Sequence, residues 1–283
     1  MRIARYRHGS SIHLGVLVDD DHVAPFASGI ADLQAYLALS PGGRASLGTG
    51  KPEPLAEVQL LAPVVPQKNV ICVGKNYADH AAEIAKAGGV AVEEADVPTF
   101  FTKPPTSIAG PGATLHLSRK VSQQYDWEAE LAVVIGKRCC DVADADALDV
   151  VFGYTCLNDL TARDLQKRHK QWFKGKALDD TCPIGPWIVT ADEIPDPQSL
   201  AIQLRVDGVE KQSSNTRKMI FDVRQIIGSL TAGLTLEPGD VIATGTPDGV
   251  GIGRTPPEFL DHDMTVEVEI EKIGTLQNRI AIS

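Results

Sequence analysis

Short apolar or alternating runs, broken by Gly, Pro, Asn and Asp, recur along most of the chain. They predict strands at residues 12–18, 23–25, 70–74, 99–102, 128–135, 151–157, 187–190, 201–206, 241–244, 265–270 and 279–282. Helical spacing is rarer, at 32–37, 78–86, 161–169 and 222–230, with a turn at 256–260. Many short strands with irregular connections predict an α+β, β-rich fold, a mixed β-sandwich or roll with few helices, over a doubly wound sheet. Pro and Gly between residues 42 and 66 mark a passage from a small N-terminal domain, 1–66, to a larger one, 67–283. The small, polar stretch 87–96 is expected to be a mobile loop.

Composition narrows the function classes. The chain has 283 residues, 43% of them hydrophobic, and a net charge of −10 without any Lys/Arg block, which argues against nucleic acid or an anionic membrane as partner. No apolar run is long enough to span a bilayer, and the charged N-terminus lacks a following apolar segment, so a cytoplasmic protein is expected. The five cysteines are odd in number and show no C-x-x-C spacing, which suits reduced thiols in apolar runs.

The chemistry concentrates in a few places. Glu128 and Glu130 stand at i and i+2 in an otherwise apolar strand pattern, on one face. Two like charges buried together need a cation between them, whereas a solvated edge strand would need none. Asp159 ends the apolar run 151–157 and offers a third oxygen ligand, or else the cap of the helix that follows. Three carboxylates without nearby His or Cys suit Mg²⁺ or Mn²⁺ better than Zn²⁺. His80 and Glu83, at i and i+3 of the helix 78–86, can meet as a base and its orienting carboxylate, or form an exposed ion pair.

These residues fall within ordered motifs that resemble the fumarylacetoacetate hydrolase family. The motifs are Gly74-Lys75-Asn76-Tyr77-Ala78-Asp79-His80, Phe101-Thr102-Lys103-Pro104, Asp126-Trp127-Glu128-Ala129-Glu130-Leu131-Ala132, Asn158-Asp159, Ala162-Arg163-Asp164-Leu165-Gln166, Lys176 ahead of Cys182-Pro183, and Gly239-Asp240 through Thr246-Pro247. They span nearly all of residues 69–283.

The resemblance implies Mg²⁺ or Mn²⁺ on Glu128, Glu130 and Asp159, and His80 with Glu83 as a catalytic dyad under a lid at about 81–96. Lys176 resembles a lysine that reaches substrate, with Lys174 a rival for the same part; Arg163, Gly245 and Thr246 resemble substrate-binding positions, although Thr-Gly-Thr-Pro-Asp-Gly would also serve as a plain turn. Asn76 replaces an aspartate that ligates metal in the longer family members, which places the chain with shorter acylpyruvate hydrolase-like ones, and residues 249–260 resemble members acting on diketo sugar acids. The resemblance therefore implies a homodimeric enzyme acting on a small 2-oxo acid. Its leading reaction is hydrolysis of a C–C bond in a 2,4-dioxo acid through a pyruvate enolate. Decarboxylation of oxaloacetate and isomerisation of a 2-oxo dienoate are the rivals, and a non-catalytic metal-binding protein is the rival of a different class.

Overall fold

A computed structural model describes residues 1–27, 29–88 and 96–283. Its larger sheet has twelve strands, ten of them in the order Glu53–Pro54, His22–Pro25, Ser11–Leu17, Arg2–His8, Cys182–Thr190, Val151–Asn158, Ala129–Ile135, Val241–Ala243, Val70–Gly74 and Thr99–Lys103. Five strands form a second sheet in the order Val209–Asn215, Ala201–Val206, Thr265–Ile270, Gly274–Ile282 and Thr114–Leu117. The β-rich, helix-poor fold is the one that the strand periodicity predicts.

Ala129–Ile135 is buried at every position because both of its faces are covered. Leu131, Val133 and Ile135 enter an apolar cluster with Ile202, Leu204, Val268 and Leu276 of the smaller sheet. Ala132 and Val134 point the other way, into a cluster with Leu14, Phe26, Leu33, Tyr36 and Leu37 from the N-terminal region. There Asp32 caps the helix Leu33–Leu37 by accepting the Ala35 N–H at 2.8 Å. The N-terminal strands extend the same sheet: Arg2 and Ile3 pair with Val189 and Ile188 of Cys182–Thr190.

Four expectations change. Arg2–His8 and Val209–Asn215 are strands although their sequences are polar; long-range pairing on both sides holds the first, and a hairpin through Asp207-Gly208 holds the second. Thr161 and Ala162 pair with Asp126 and Tyr125, which delays the next helix to Arg163–His169. The turn expected at 256–260 is instead a 3₁₀ turn at Gly251–Gly253. The helix Ala78–Gly88 takes in the start of the expected loop, and residues 89–95 lie outside the described residues.

Candidate active site

Antiparallel register brings the three carboxylates together. Ala129 faces Asn158 and Glu130 faces Leu157, so Asp159 falls beside Glu128 and donates its N–H to the Glu128 carbonyl at 2.9 Å. One oxygen from each of Glu128, Glu130 and Asp159 lies within 4.8 Å of the others. None of the three is more than 4% exposed, which rules out a solvated edge. Nor does Asp159 cap the following helix, whose start has no side-chain cap.

Buried cations surround two of the acids. Lys176 Nζ donates to Glu128 Oε2 and Asp159 Oδ2, both at 2.7 Å. Lys103 Nζ stands 2.8 Å from Asp159 Oδ1, and Arg163 Nη2 lies 2.7 Å from Glu128 Oε1. Burial pushes the Glu128 carboxyl up, yet Lys176 and Arg163 together outweigh it and bring its pKa down to about 2. Burial likewise opposes the charge on Lys176, but Asp159 and Glu128 hold its ammonium above the ordinary lysine value.

Glu130 differs. It makes no ion pair among the described residues and accepts a single hydrogen bond, from the Gly245 N–H at 2.8 Å. Burial, with the charges of Asp159 and Glu128, holds its carboxyl well above the usual range. Asp159 Oδ1 is buried without a hydrogen bond of good geometry. A hard divalent cation fits this donor set, because three carboxylate oxygens already stand together and the cation would neutralise Glu130, which has no cationic partner among the described residues.

Glu128, Glu130 and Lys176 line a cavity of about 360 Å³ together with His80, Arg163 and Thr246, among others, while Asp159 reaches it through its contact with Lys176. Lys176 is buried there while Lys174 is exposed, so of the two lysines only Lys176 lines the cavity. Gly245 does not line it. Its φ of +99° and the approach of the Asn76 side chain leave no room for a Cβ, and its contribution is the backbone N–H to Glu130. Thr246 Oγ1 accepts from Gln212 Nε2 at 2.8 Å, which anchors the turn. Asn76 is not a ligand: its amide donates to the carbonyls of Thr244 and Phe221 and accepts the Phe221 N–H.

His80 and Glu83 sit on one face of the helix Ala78–Gly88, with His80 Nδ1 3.5 Å from Glu83 Oε2. His80 is only 5% exposed, so the pair is no surface ion pair. Glu83 is held in turn by the Gly249 N–H at 3.2 Å from each carboxylate oxygen.

Two residues carry more of the site than their motifs alone suggest. Lys103 is wholly buried and also donates to the Leu160 carbonyl at 3.0 Å. Asp126 accepts the N–H groups of Gly251 and Ile252 at 2.6 and 3.0 Å and receives Arg163 Nε at 2.8 Å, joining the 251–253 turn to the cation beside Glu128. A signal for Asp126 is present in the sequence: 126, 128 and 130 continue the same period of two.

The family profile described as Fumarylacetoacetate (FAA) hydrolase C-terminal matches residues 69–281. The chain belongs to the fumarylacetoacetate hydrolase family. A second profile, described as Rv2993c-like, N-terminal, matches residues 1–63. The chain is 50% identical over 230 residues to an oxaloacetate tautomerase of Bacillus subtilis, covering 80% of this chain and 74% of that protein. A putative hydrolase of Burkholderia orbicola is 42% identical over 97% of this chain and 96% of its own length. Among solved structures of fumarylacetoacetate hydrolase type, the one from Exiguobacterium antarcticum superposes with a TM-score of 0.85 at 40% identity, covering both chains fully. A maleylpyruvate hydrolase from Sphingobium, solved with manganese(II) and pyruvate, gives a TM-score of 0.81 at 31% identity, again over the whole of both chains.

Proposed function

We propose that this protein catalyses enol chemistry on a small 2-oxo acid, with oxaloacetate the first substrate to test and keto–enol tautomerisation the first reaction. The observation that carries the reading is the grouping, around one cavity, of three carboxylates, a buried lysine and a histidine backed by a carboxylate. The 50% identity to an oxaloacetate tautomerase supports the choice of substrate.

Glu128, Glu130 and Asp159 would hold Mg²⁺ or Mn²⁺, which supplies Lewis acidity toward the 2-oxo and carboxylate oxygens. His80 takes a proton from substrate C3 to leave the enolate, or returns one to it, using the ring nitrogen that does not face Glu83, while the proton on the enol oxygen and that on His80 exchange with water. Glu83 orients the imidazole and stabilises its protonated form. Lys176 keeps its charge and stabilises negative charge developing on the enol oxygen. Arg163, tied to Asp126 and Glu128, fixes the cavity wall, and Thr246 lines it next to the Gly245 N–H that holds Glu130.

A second reading is hydrolysis of an acylpyruvate, in which His80 instead activates water. It is supported by the His80–Glu83 pairing and by the structural likeness to a maleylpyruvate hydrolase. Freshly dissolved enol-oxaloacetate and a panel of acylpyruvates, assayed with Mg²⁺, Mn²⁺ or a chelator, separate the two. Metal-dependent loss of the enol absorbance without acylpyruvate cleavage supports tautomerisation. Rapid acylpyruvate cleavage with no effect on enol-oxaloacetate would sink it in favour of hydrolysis.

A further inference from the structure

The mouth of the cavity is more cationic than its floor requires. On the floor and just behind it, Asp126, Glu128, Glu130 and Asp159 face Lys103, Arg163 and Lys176, so four buried carboxylates are matched by three buried cations. A divalent cation would leave this floor with a single positive charge, enough for the one carboxylate of a 2-oxo acid. The same cavity is also lined by Lys75, Lys167 and Lys170. All three are exposed, and none has an acidic partner among the described residues, on a chain whose net charge is −10.

Their backbone sharpens the point. Lys75 and Lys170 have φ of +56° and +61°, in the left-handed region where Gly or Asn is the ordinary occupant. Lys75 follows the strand Val70–Gly74, and Lys167 and Lys170 stand at the end of the helix Arg163–His169. Two elements distant in sequence therefore bring to one cavity three lysines that have no acidic partner among the described residues. Trp172 packs between them, its ring so close to Gly74 that a Cβ there would lie 2.2 Å away. The rim is thus held together from both sides.

We propose that Lys75, Lys167 and Lys170 form a subsite for a second anionic group at the far end of the substrate, so that the enzyme selects 2-oxo dicarboxylates over 2-oxo monocarboxylates. The inference rests on the 2-oxo acid reading and adds the charge of the distal substituent to it. Ammonium groups at a solvent-exposed rim attract such a group through a screened field, so the preference falls as ionic strength rises.

The test compares oxaloacetate with its 4-methyl ester, whose distal group is uncharged, in wild-type enzyme and in the triple variant Lys75→Gln/Lys167→Gln/Lys170→Gln, so that the intrinsic difference in reactivity between the two compounds cancels. The ratio of kcat/KM for acid over ester should fall by on the order of 10-fold in the variant, as expected for several screened ion pairs. The loss should appear in KM, and Arg at the three positions should restore the ratio. A ratio unchanged in the Gln variant overturns the subsite, as does an equal loss on both compounds, which would mark the lysines as general to binding or closure. Wild-type enzyme inert toward both compounds overturns the oxaloacetate reading, and this inference with it.

Discussion

Replacing Glu130 by Gln separates what the carboxylate does for a cation from what it does for the fold. In the metal-free protein Glu130 has no ion pair among the described residues, and its one hydrogen bond, from Gly245, can be accepted by a Gln carbonyl. Two unit charges no more than 4.8 Å apart repel by at least about 3–4 kcal/mol at an effective dielectric of about 20. Deleting the third charge therefore leaves metal-free stability unchanged or raised. Saturating the wild type with Mn²⁺ at about 100 times its dissociation constant adds about 2.7 kcal/mol, or roughly 5–10 °C in Tm. Glu130→Gln should lose that increment and keep its metal-free Tm.

Lys176→Met is the opposite case. It strips Glu128 and Asp159 of a shared partner at 2.7 Å, and should cost the metal-free protein about 3 kcal/mol, the lower part of the range for a broken buried pair, because Arg163 and Lys103 remain. Thermal unfolding with chelator and with Mn²⁺ reads both variants. A full Mn²⁺ shift in Glu130→Gln, or a large loss of its metal-free stability, would refute the assignment of Glu130 as a ligand held for charge.

Further outcomes follow from other parts of the structure. A Cβ at Gly253 would lie 2.2 Å from the Glu83 side chain, so Gly253→Ala should displace Glu83, fold normally and lower kcat by about 10-fold, within the range for impairing a general base; unchanged turnover would remove Glu83 from the dyad. Burial pushes the Cys182 thiol up to about 12, and Cys72 and Cys156 are also raised by burial. Native protein at pH 8 should therefore present exposed Cys140 to a thiol reagent rapidly, Cys139 more slowly, and all five thiols only after denaturation. Light scattering at micromolar concentration should give the mass of a homodimer, and a monomeric mass would refute the assembly implied by the family resemblance.

The site is more legible in the sequence than the fold around it. Glu128 and Glu130 stand out because carboxylates interrupt a strand whose two faces are both apolar, and the structure buries that strand completely. Asp159 is readable only as one of two things, since joining it to Glu128 requires the register of Ala129–Ile135 on Val151–Asn158, a non-local fact. Lys103 ends a strand as any surface lysine does; its burial comes from packing against Asp159 and Leu160. The hairpin turn Asp207-Gly208, both at positive φ, is written plainly, yet the strand after it is polar and shows no hydrophobic alternation. Arg2–His8 hides for a similar reason: Arg2 reaches out to Asp20 and lies over the Trp187 ring, so its charge does not mark an exposed segment.

The central claim is that the cavity makes and quenches an enol at C3 of a bound 2-oxo acid with a divalent cation in place. Proton NMR of 2-oxobutanoate in D₂O, which can exchange its C3 protons but has no group to lose, measures that step alone. Wild-type enzyme with Mg²⁺ should exchange those protons far above the uncatalysed rate, chelator should abolish the effect, and His80→Ala should lower it by on the order of 10²-fold. Exchange at the uncatalysed rate in the Mg²⁺-loaded wild type, with calorimetry showing that 2-oxobutanoate is bound, would contradict the account.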